Sequence, residues 1–215
     1  MDLDEPTSRH CVQVLRMRAG DRLVLTDGRG HRAVAALLEA DKRRSSVSLE
    51  PPSYIPRPGP EVYIGISPVK NSSRLEWFLE KATEIGVAGI IPLLCERTER
   101  TSLRADRLTH ILVSAMLQSQ QVWLPVLEDP RSLPTVLTEA TGNRYIAHCL
   151  EDDKRSLDAT AGISWLLIGP EGDFTPEEVT KALARGWVPV TLGETRLRTE
   201  TAGIVGATLL RLAAH

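Results

Sequence analysis

Apolar and polar positions follow two different patterns along the chain. Between residues 9 and 50, short apolar runs typical of strands alternate with turns. The runs on either side of Asp27-Gly28 predict a β-hairpin, because this dipeptide suits a tight turn between strands. Residues 51–60 contain five prolines, which neither a helix nor a central strand tolerates. The proline-rich stretch therefore predicts a boundary between two domains.

After this stretch, apolar strands alternate with amphipathic helices. The first helix is predicted where Ser73 and Glu76 have capping-box spacing and Gly86 supplies the stop. Two more helices are predicted from about Arg104 to Gln121 and from about Glu200 to Ala213. Strands that are separated by helices pair in parallel, which predicts an α/β fold. The predicted strands are residues 61–67, 87–94, 144–150, 163–169 and 188–193.

The composition of the 215 residues is that of a globular protein. Apolar residues make up 42% and charged residues 25%, which excludes a disordered chain, a fibre and a disulfide scaffold. No window of about 18 uncharged apolar residues occurs, which excludes a transmembrane helix. The first ten residues are acidic and contain no apolar segment, so we expect no secretory signal and a cytoplasmic location.

Cysteines and charges narrow the function classes. Cys11, Cys95 and Cys149 are far apart in the chain and are expected to be small, buried, apolar residues. No histidine or cysteine cluster has the spacing of metal ligands, so no metal is expected. The net charge of -2 argues against a basic protein that coats RNA, although positive charge is concentrated in residues 9–57 and 97–107.

A glycine-containing turn follows the predicted strand at residues 163–169. Gly169 and Gly172 allow a tight turn and a close approach of the backbone to a ligand. A capped helix is predicted directly afterwards, from Thr175 onward. The turn has neither a lysine nor a nucleotide-binding glycine pattern, and Glu171 and Asp173 would repel an anion. The segment therefore favours a neutral or cationic ligand, and the alternative is an efficient βα turn without a ligand.

A second polar segment follows the last predicted strand. It contains Arg196, Arg198 and Glu200 after Gly193. A solvated turn with Thr199 or Thr201 as helix cap is the alternative interpretation. Ligands of α/β sheets bind beyond the carboxyl ends of the strands, so we expect the two segments to converge on one pocket.

Five segments of the chain together resemble one known family. They are RHCVQVLRMRAGDRLVLTDGRG at 9–30, KNSSRLEWFLEKATEIGVAGIIPLLCERT at 70–98, QSQQVWLPVL at 118–127, LLIGPEGDFTPEEV at 166–179 and LGETRLRTETA at 192–202. In this order they resemble the bacterial 16S ribosomal RNA (uracil-N3)-methyltransferases of the SPOUT class, over essentially the whole chain. The combination of GPEG with a later LR-ETA segment is highly specific.

The resemblance implies two domains and a reaction. Residues 1–55 would form a small PUA-like RNA-binding β-barrel that lacks its first strand, because family members usually begin with a further strand. Residues 61–215 would form a parallel-sheet SPOUT methyltransferase domain with a carboxyl-terminal trefoil knot. The protein would be a cytoplasmic homodimer that uses S-adenosylmethionine to methylate N3 of a uridine in 16S ribosomal RNA of the small ribosomal subunit. It would need neither a membrane nor a metal.

The resemblance also assigns site residues. Three loops would bind the cofactor through residues His148, Cys149, Leu150, Ile168, Gly169, Glu171, Gly172, Leu192, Gly193, Leu197, Arg198, Thr201 and Ala202. Uridine N3 must lose its proton, so Arg198 is expected to stabilise the uridine anion. Glu200 would accept the proton, or alternatively orient Arg198 or cap the last helix. The candidate phosphate contacts are Arg9, His10, Arg16, Arg18, Arg97, Arg100 and Arg104.

Three positions depart from the usual family pattern. Leu117 and Gln121 stand where many members have glutamate and arginine, which predicts altered contacts with the substrate. Asp173 stands where family members frequently have glycine, the residue that adopts a positive φ angle most readily. We therefore expect Gly172 to provide the positive φ angle of this turn. Two alternative functions stay open at this point, a non-catalytic RNA-binding protein of the SPOUT type and a SPOUT methyltransferase that acts on a different RNA.

Overall fold

The computed structural model describes residues 1–151, 153–158 and 161–212. The chain divides into two units, Met1–Arg57 and Pro58–His215, and the division lies in the proline-rich stretch. No helix of the described residues has both the length and the apolar character that a membrane span requires.

The first unit is built on an antiparallel sheet. Its sheet runs in the order β1-β2-β3, and β4 also pairs with β2. The predicted hairpin is confirmed, because β1 and β2 are antiparallel neighbours on either side of a turn in which Gly28 and Gly30 have positive φ angles. The elements are α1 (Glu5–Arg9), a π-helical turn (His10–Val14), β1 (Arg22–Thr26), β2 (His31–Glu39), β3 (Ser46–Leu49) and β4 (Ser53–Tyr54).

The beginning of this unit corrects the sequence prediction. Residues 9–14 were expected within a run of short strands, but the structure makes residues 5–14 helical. The Asp4 side chain accepts a hydrogen bond from the Thr7 N–H, and Pro6 lies in the first turn, so this helix has a strong local start signal. Residues before it form the edge of the sheet, where Asp2 forms a bridge with Ser46.

The second unit is an α/β domain with a parallel sheet, as predicted. The strand order is β10-β12-β9-β11-β5-β6-β7, with β8 paired to β6, and these pairs are all parallel. Short strands β7, β8 and β10 and helix α4 were not predicted. The elements are β5 (Glu61–Ile66), α2 (Ser72–Ile85), β6 (Gly89–Leu94), α3 (Ala105–Gln118), β7 (Val126–Leu127), β8 (Arg131–Ser132), α4 (Leu133–Glu139), β9 (Asn143–Ala147), β10 (Arg155–Ser156), β11 (Ile163–Ile168), α5 (Pro176–Leu183), β12 (Val188–Thr191) and α6 (Thr199–Leu212).

Successive side chains of the central strand β11 enter two separate cores. Leu166 packs in a core that contains residues of α2, α3 and α6, whereas Leu167 packs in a core that contains residues of α4 and α5. Because successive residues of a strand point to opposite faces, helices cover both faces of the sheet. The burial of both faces explains why the central strands are continuous apolar runs in the sequence.

The helix ends show which local sequence signals correctly predicted where a helix begins or ends. The predicted capping box of α5 is confirmed by both reciprocal hydrogen bonds between Thr175 and Glu178. Gly86 ends α2 in the left-handed conformation, as predicted, with a φ angle of 88°. The predicted start of α2 was wrong, because the Asn71 side chain accepts the Ser73 N–H and is the N-cap. The last helix begins at Thr199, and its predicted end at Ala213 lies outside the described residues.

Candidate functional site

A cavity of about 760 Å³ lies at the carboxyl ends of β9, β11 and β12. These three strands are neighbours in the sheet, so the loops that follow them meet at one edge. Gly169 and Gly193 both line the cavity, so the predicted convergence of the two segments is confirmed. The volume lies within the usual range of small-molecule sites, about 300–1,000 Å³.

Most residues with a predicted role in binding the cofactor border this cavity. Arg198 and Glu200, the predicted catalytic residues, also border it. The predicted cofactor residues that line the cavity are His148, Cys149, Ile168, Gly169, Glu171, Leu192, Gly193, Leu197, Arg198 and Ala202.

Three predicted residues do not line the cavity. Leu150 packs against the core on the α4 and α5 side. Gly172 faces Arg97, because a Cβ atom built on it would come within 3.3 Å of the Arg97 Cδ. Thr201 lies in the first turn of α6 between the lining residues Glu200 and Ala202 but does not itself border the cavity.

The GPEG loop, residues 169–173, is held by side chains and backbone groups from other parts of the chain. Arg97 Nη1 donates to the Gly172 carbonyl at 2.6 Å, and the Lys70 N–H donates to Glu171 Oε2 at 3.3 Å. Thr199 Oγ1 donates to the Gly169 carbonyl at 3.2 Å. The loop is therefore hydrogen-bonded to three other segments of the chain.

The backbone of this loop corrects one sequence expectation. Gly172 was expected to provide the positive φ angle, but Asp173 itself has a φ of 63° and Gly172 has no positive φ. The Asp173 N–H donates to the Pro170 carbonyl at 2.9 Å, which closes the turn. Aspartate tolerates the left-handed conformation better than most residues, because its short polar side chain can form local hydrogen bonds.

The arginine loop, residues 192–198, is held much more loosely. Its hydrogen bonds near Gly193 come from Thr191, whose hydroxyl donates to the Gly193 carbonyl at 3.0 Å. Arg196 and Arg198 are exposed, and neither guanidinium is bonded to a carboxylate or carbonyl of the described residues. Both line the cavity, so their positive charge is available to a ligand or substrate.

Glu200 has a partner that the sequence did not indicate. It is buried in the first turn of α6, and its Oε1 lies 3.6 Å from Nε of Arg74, which is on α2. Arg74 also lines the cavity. Of the predicted roles of Glu200, orientation of Arg198 has no supporting contact among the described residues. The sequence did contain one signal that Arg74 would lie at the cavity. Arg74 is in the first turn of the helix that follows β5, and the carboxyl end of β5 lies beside that of β11.

Charges of both signs surround the cavity. Lys154 and Thr199 line it, although sequence reasoning selected neither for cofactor binding. The cations are Arg74, Lys154, Arg196 and Arg198, and the anions are Glu171, Asp173, Glu194 and Glu200. The site is therefore not a simple anion pocket, in agreement with the ligand class that the sequence favours.

The cysteines only partly follow the sequence expectation. Cys11 is buried, whereas Cys149 is exposed and lines the cavity. Cys95 is partly exposed, and desolvation raises the pKa of its thiol, as do the carboxylates of Glu178 and Asp173. The Cys95 thiol therefore stays protonated at neutral pH. Among the described residues no group of three or more histidine, cysteine, aspartate or glutamate side chains could hold a metal ion.

The predicted phosphate contacts are divided between the two units. In the first unit, Arg9 forms an ion pair with Glu5, and Arg16 has a positive φ of 55°. In the second unit, Arg97 is engaged with the GPEG loop, and Arg100 Nη1 donates to the Lys70 carbonyl at 3.3 Å. The first unit carries Arg9, His10, Arg16 and Arg18, and the second carries Arg97, Arg100 and Arg104.

Leu117 and Gln121, the two other departures from the family pattern, differ in their contacts. Leu117 is 52% exposed. Gln121 Nε2 donates to the carbonyls of Thr83 and Glu84, each at 2.8 Å, and so closes the end of α2. Gln121 thus has a structural role that the sequence did not indicate, because the carbonyls at a helix end need donors and this amide supplies them. Its contact with the substrate stays a prediction.

Comparisons with known proteins agree with this architecture. A family model described as an RNA methyltransferase domain matches residues 57–211, and one described as an RNA methyltransferase PUA domain matches residues 3–50. The chain is 27% identical over 205 residues to ribosomal RNA small subunit methyltransferase E of Rickettsia conorii, covering 93% of this chain and 84% of that protein.

Solved structures are similar over nearly the whole chain. A probable rRNA-methyltransferase from Porphyromonas gingivalis has a TM-score of 0.92 and 38% identity, covering 99% of this chain and 93% of that one. Ribosomal RNA small subunit methyltransferase E from Neisseria gonorrhoeae, bound to S-adenosyl methionine, has a TM-score of 0.84 and 28% identity, covering 96% and 89% of the two chains.

Proposed function

The chain belongs to the RNA methyltransferase family, and from this premise we propose that it methylates N3 of a uridine in 16S ribosomal RNA of the small ribosomal subunit. The methyl donor in this proposal is S-adenosylmethionine, which is bound in the similar structure from Neisseria gonorrhoeae. The observation that carries the proposal is the single cavity that Gly169 and Gly193 share at the carboxyl ends of neighbouring strands.

The cavity suits a nucleoside with a sulfonium group. A Cβ atom built on Gly193 would meet no atom within 4 Å, so the backbone there faces open space that a ligand can fill. Backbone groups of the GPEG loop and of residues 147–149 would bind the adenosine part, and the Glu171 carboxylate would face the positive charge. When bound, S-adenosylmethionine supplies an activated methyl group.

The residues of the arginine loop and α6 would prepare the uridine. Loss of the N3 proton places negative charge on the uracil carbonyl oxygens, and the exposed guanidinium of Arg198 can donate hydrogen bonds to them. Glu200 is proposed to accept the proton, with Arg74 holding its carboxylate toward the cavity. Methyl transfer depends on the alignment and distance of the reacting atoms more than on covalent catalysis. Most of the rate acceleration would therefore come from positioning the uridine against the methyl donor.

Substrate docking is a separate part of the proposal. A uridine within folded RNA must be exposed or flipped out before its N3 can be reached. The PUA domain match covers residues 3–50, and its arginines would contact phosphates together with those of the second unit. The protein would act as a homodimer in the cytoplasm.

A carboxyl-terminal knot is also proposed, and the topology supports it. Helix α6 packs against α2 and β5, whereas β12, which precedes α6, lies beyond β9 on the far side of β11. Residues 192–198 therefore pass back across the ends of β9 and β11. A knot requires in addition that this segment pass through a loop formed by another connection, which is rare in protein folds.

A methylation assay tests the proposed function. Small ribosomal subunits that lack the modification are incubated with the protein and S-adenosylmethionine, and the RNA is digested and analysed by mass spectrometry. The expected result is one added methyl group on N3 of one uridine. A methyl group on another RNA would identify a different substrate, and binding of RNA without methylation would identify a non-catalytic RNA-binding protein.

A further inference from the structure

Asp173 connects the ends of two neighbouring strands at the cavity. Its Oδ2 accepts a hydrogen bond from the Cys149 N–H at 2.7 Å, although the two residues are 24 positions apart in the chain. Cys149 follows β9, and Asp173 follows β11, which pairs with β9 in parallel. Both strand ends contribute residues to the lining of the cavity.

Both oxygens of the Asp173 carboxylate are engaged within the protein. Oδ1 accepts the Phe174 N–H at 2.8 Å, so the side chain bonds its own loop and the neighbouring strand end at once. Hydrogen bonds from backbone N–H groups to a carboxylate are charge-assisted and short. The carboxylate is therefore engaged with the backbone through both oxygens, although Asp173 also lines the cavity.

The backbone conformation of Asp173 makes this bridge possible. With a φ of 63°, the residue turns its carboxylate back toward the end of β9. A glycine, which the related family often has here, would allow the same φ but would supply no carboxylate. The bridge is therefore a property of this chain's own residue.

We propose that Asp173 is a positioning residue that sets the separation between the end of β9 and the GPEG loop, and thereby shapes the cavity for the methyl donor. The identity of the ligand rests on the proposed function, whereas the bridge itself does not. The competing interpretation is that the Asp173 carboxylate attracts the sulfonium charge directly.

Two substitutions and one control separate these interpretations. Asp173→Gly keeps the left-handed backbone accessible and removes both hydrogen bonds. Asp173→Asn also tolerates this conformation, but it loses the charge and has only one acceptor atom for two donors. Glu177→Gln in the first turn of α5 removes an exposed negative charge nearby without changing the cavity lining, and is the matched control.

The first measurement is amide hydrogen exchange in the free protein by NMR. The Cys149 amide is expected to exchange at least about tenfold faster in Asp173→Gly and Asp173→Asn than in the wild-type protein, because the loss of a hydrogen bond to a charged group releases it. It is expected to be unchanged in Glu177→Gln. An unchanged rate in both Asp173 variants would overturn the proposal.

The second measurement is calorimetric binding of S-adenosylmethionine and of S-adenosylhomocysteine, which lacks the sulfonium charge. The proposal expects both Kd values to rise by the same factor, about tenfold to a hundredfold, in the Asp173 variants. A loss of affinity for S-adenosylmethionine alone would overturn it in favour of direct attraction, and unchanged affinity for both would also overturn it. If the wild-type protein binds neither compound, the proposed function fails, and the exchange rates still decide whether the bridge exists.

Discussion

The GPEG loop and the arginine loop border the same cavity but are held in opposite ways. The first is bonded to Arg97, Lys70, Thr199 and the end of β9, so four of its five residues have a distant partner. The second is bonded near Gly193 to the adjacent Thr191 at the end of β12, and its two arginines extend unpaired among the described residues.

The contrast shows how one site can serve two kinds of ligand. A loop that already has its bound shape loses little conformational freedom when a small molecule binds, so it can hold a cofactor through backbone groups. Guanidinium groups that are not neutralised inside the protein can instead meet the negative charge of RNA or of a reacting base. The GPEG loop is therefore suited to the cofactor. The arginines of the second loop are suited to the substrate, while its backbone around Gly193 borders the cofactor cavity as well. Four changes test this division.

The largest effect is expected from Gly169→Trp in the GPEG loop. A Cβ atom at this position would already come within 3.1 Å of Phe174, and the indole would displace the loop or fill the cavity. Calorimetry is expected to detect no binding of S-adenosylmethionine, against roughly micromolar binding by the wild-type protein. Circular dichroism and a thermal melt show whether the variant is folded. Wild-type affinity in a folded variant would mean that Gly169 does not border the cofactor.

The next largest effect is expected from Arg198→Ala in the arginine loop. Loss of one preorganised donor should lower the rate of methyl transfer by about a hundredfold or more. Binding of S-adenosylmethionine should be retained, because the guanidinium makes no hydrogen bond that shapes the cavity among the described residues. Arg185→Ala, an exposed arginine just after α5, is the control for loss of positive charge. An unchanged rate would remove Arg198 from the mechanism.

A smaller effect is expected from Thr199→Val, which removes the hydrogen bond between the start of α6 and the GPEG loop. The hydroxyl that bonds the Gly169 carbonyl is lost while the shape of the side chain is kept. The free energy of unfolding is expected to fall by about 1 kcal/mol, and the Kd for the cofactor to rise about threefold to tenfold. The matched control is Thr208→Val, which removes a hydrogen bond from the Thr208 hydroxyl to the Ile204 carbonyl elsewhere in α6. If both variants weaken cofactor binding equally, the link between the loops has no special role.

The smallest effect is expected from Glu76→Gln, which should leave both loops unchanged. Hydrogen bonds from the Arg107 guanidinium lower the pKa of Glu76. Because the pKa of Glu76 is lower in the folded protein, the ion pair stabilises the fold at every pH above the pKa of the unfolded chain, about 4.5. This stabilisation is lost as the pH falls through the pKa of the folded protein. The Tm at pH 7 is expected to fall by about 1–2 °C, with cofactor affinity unchanged. A difference in Tm that persists at pH 2 would contradict the assignment to this ion pair.

Local signals predicted those parts of the fold that short stretches of chain control. The Thr175 capping box and the left-handed Gly86 both act within a few residues, and both were predicted correctly. Asn71 was missed as the cap of α2, because Ser73 and Glu76 have the same spacing as a capping box and only the structure shows that Glu76 bonds Arg107. The helical residues 5–14 were missed because they are short and contain little apolar periodicity.

Contacts between distant segments account for what was missed at the site. Arg74 and Glu200 are far apart in sequence and meet only because α2 packs on α6. The sequence also did not indicate that Gln121 closes the end of α2 or that Arg97 bonds Gly172, and their contacts with substrate and RNA stay predictions. The identity of each side chain was known from the sequence, but its partner was not.

The sequence by itself determined the family, the parallel α/β fold and the two glycine-containing segments that border the cavity, because these depend on residue order and on periods of two and 3.6. Only the tertiary structure decided which of the two loops is rigid. The reason is that rigidity comes from hydrogen bonds to groups such as the Cys149 N–H and the Arg97 guanidinium, whose nearness depends on strand order and not on sequence separation.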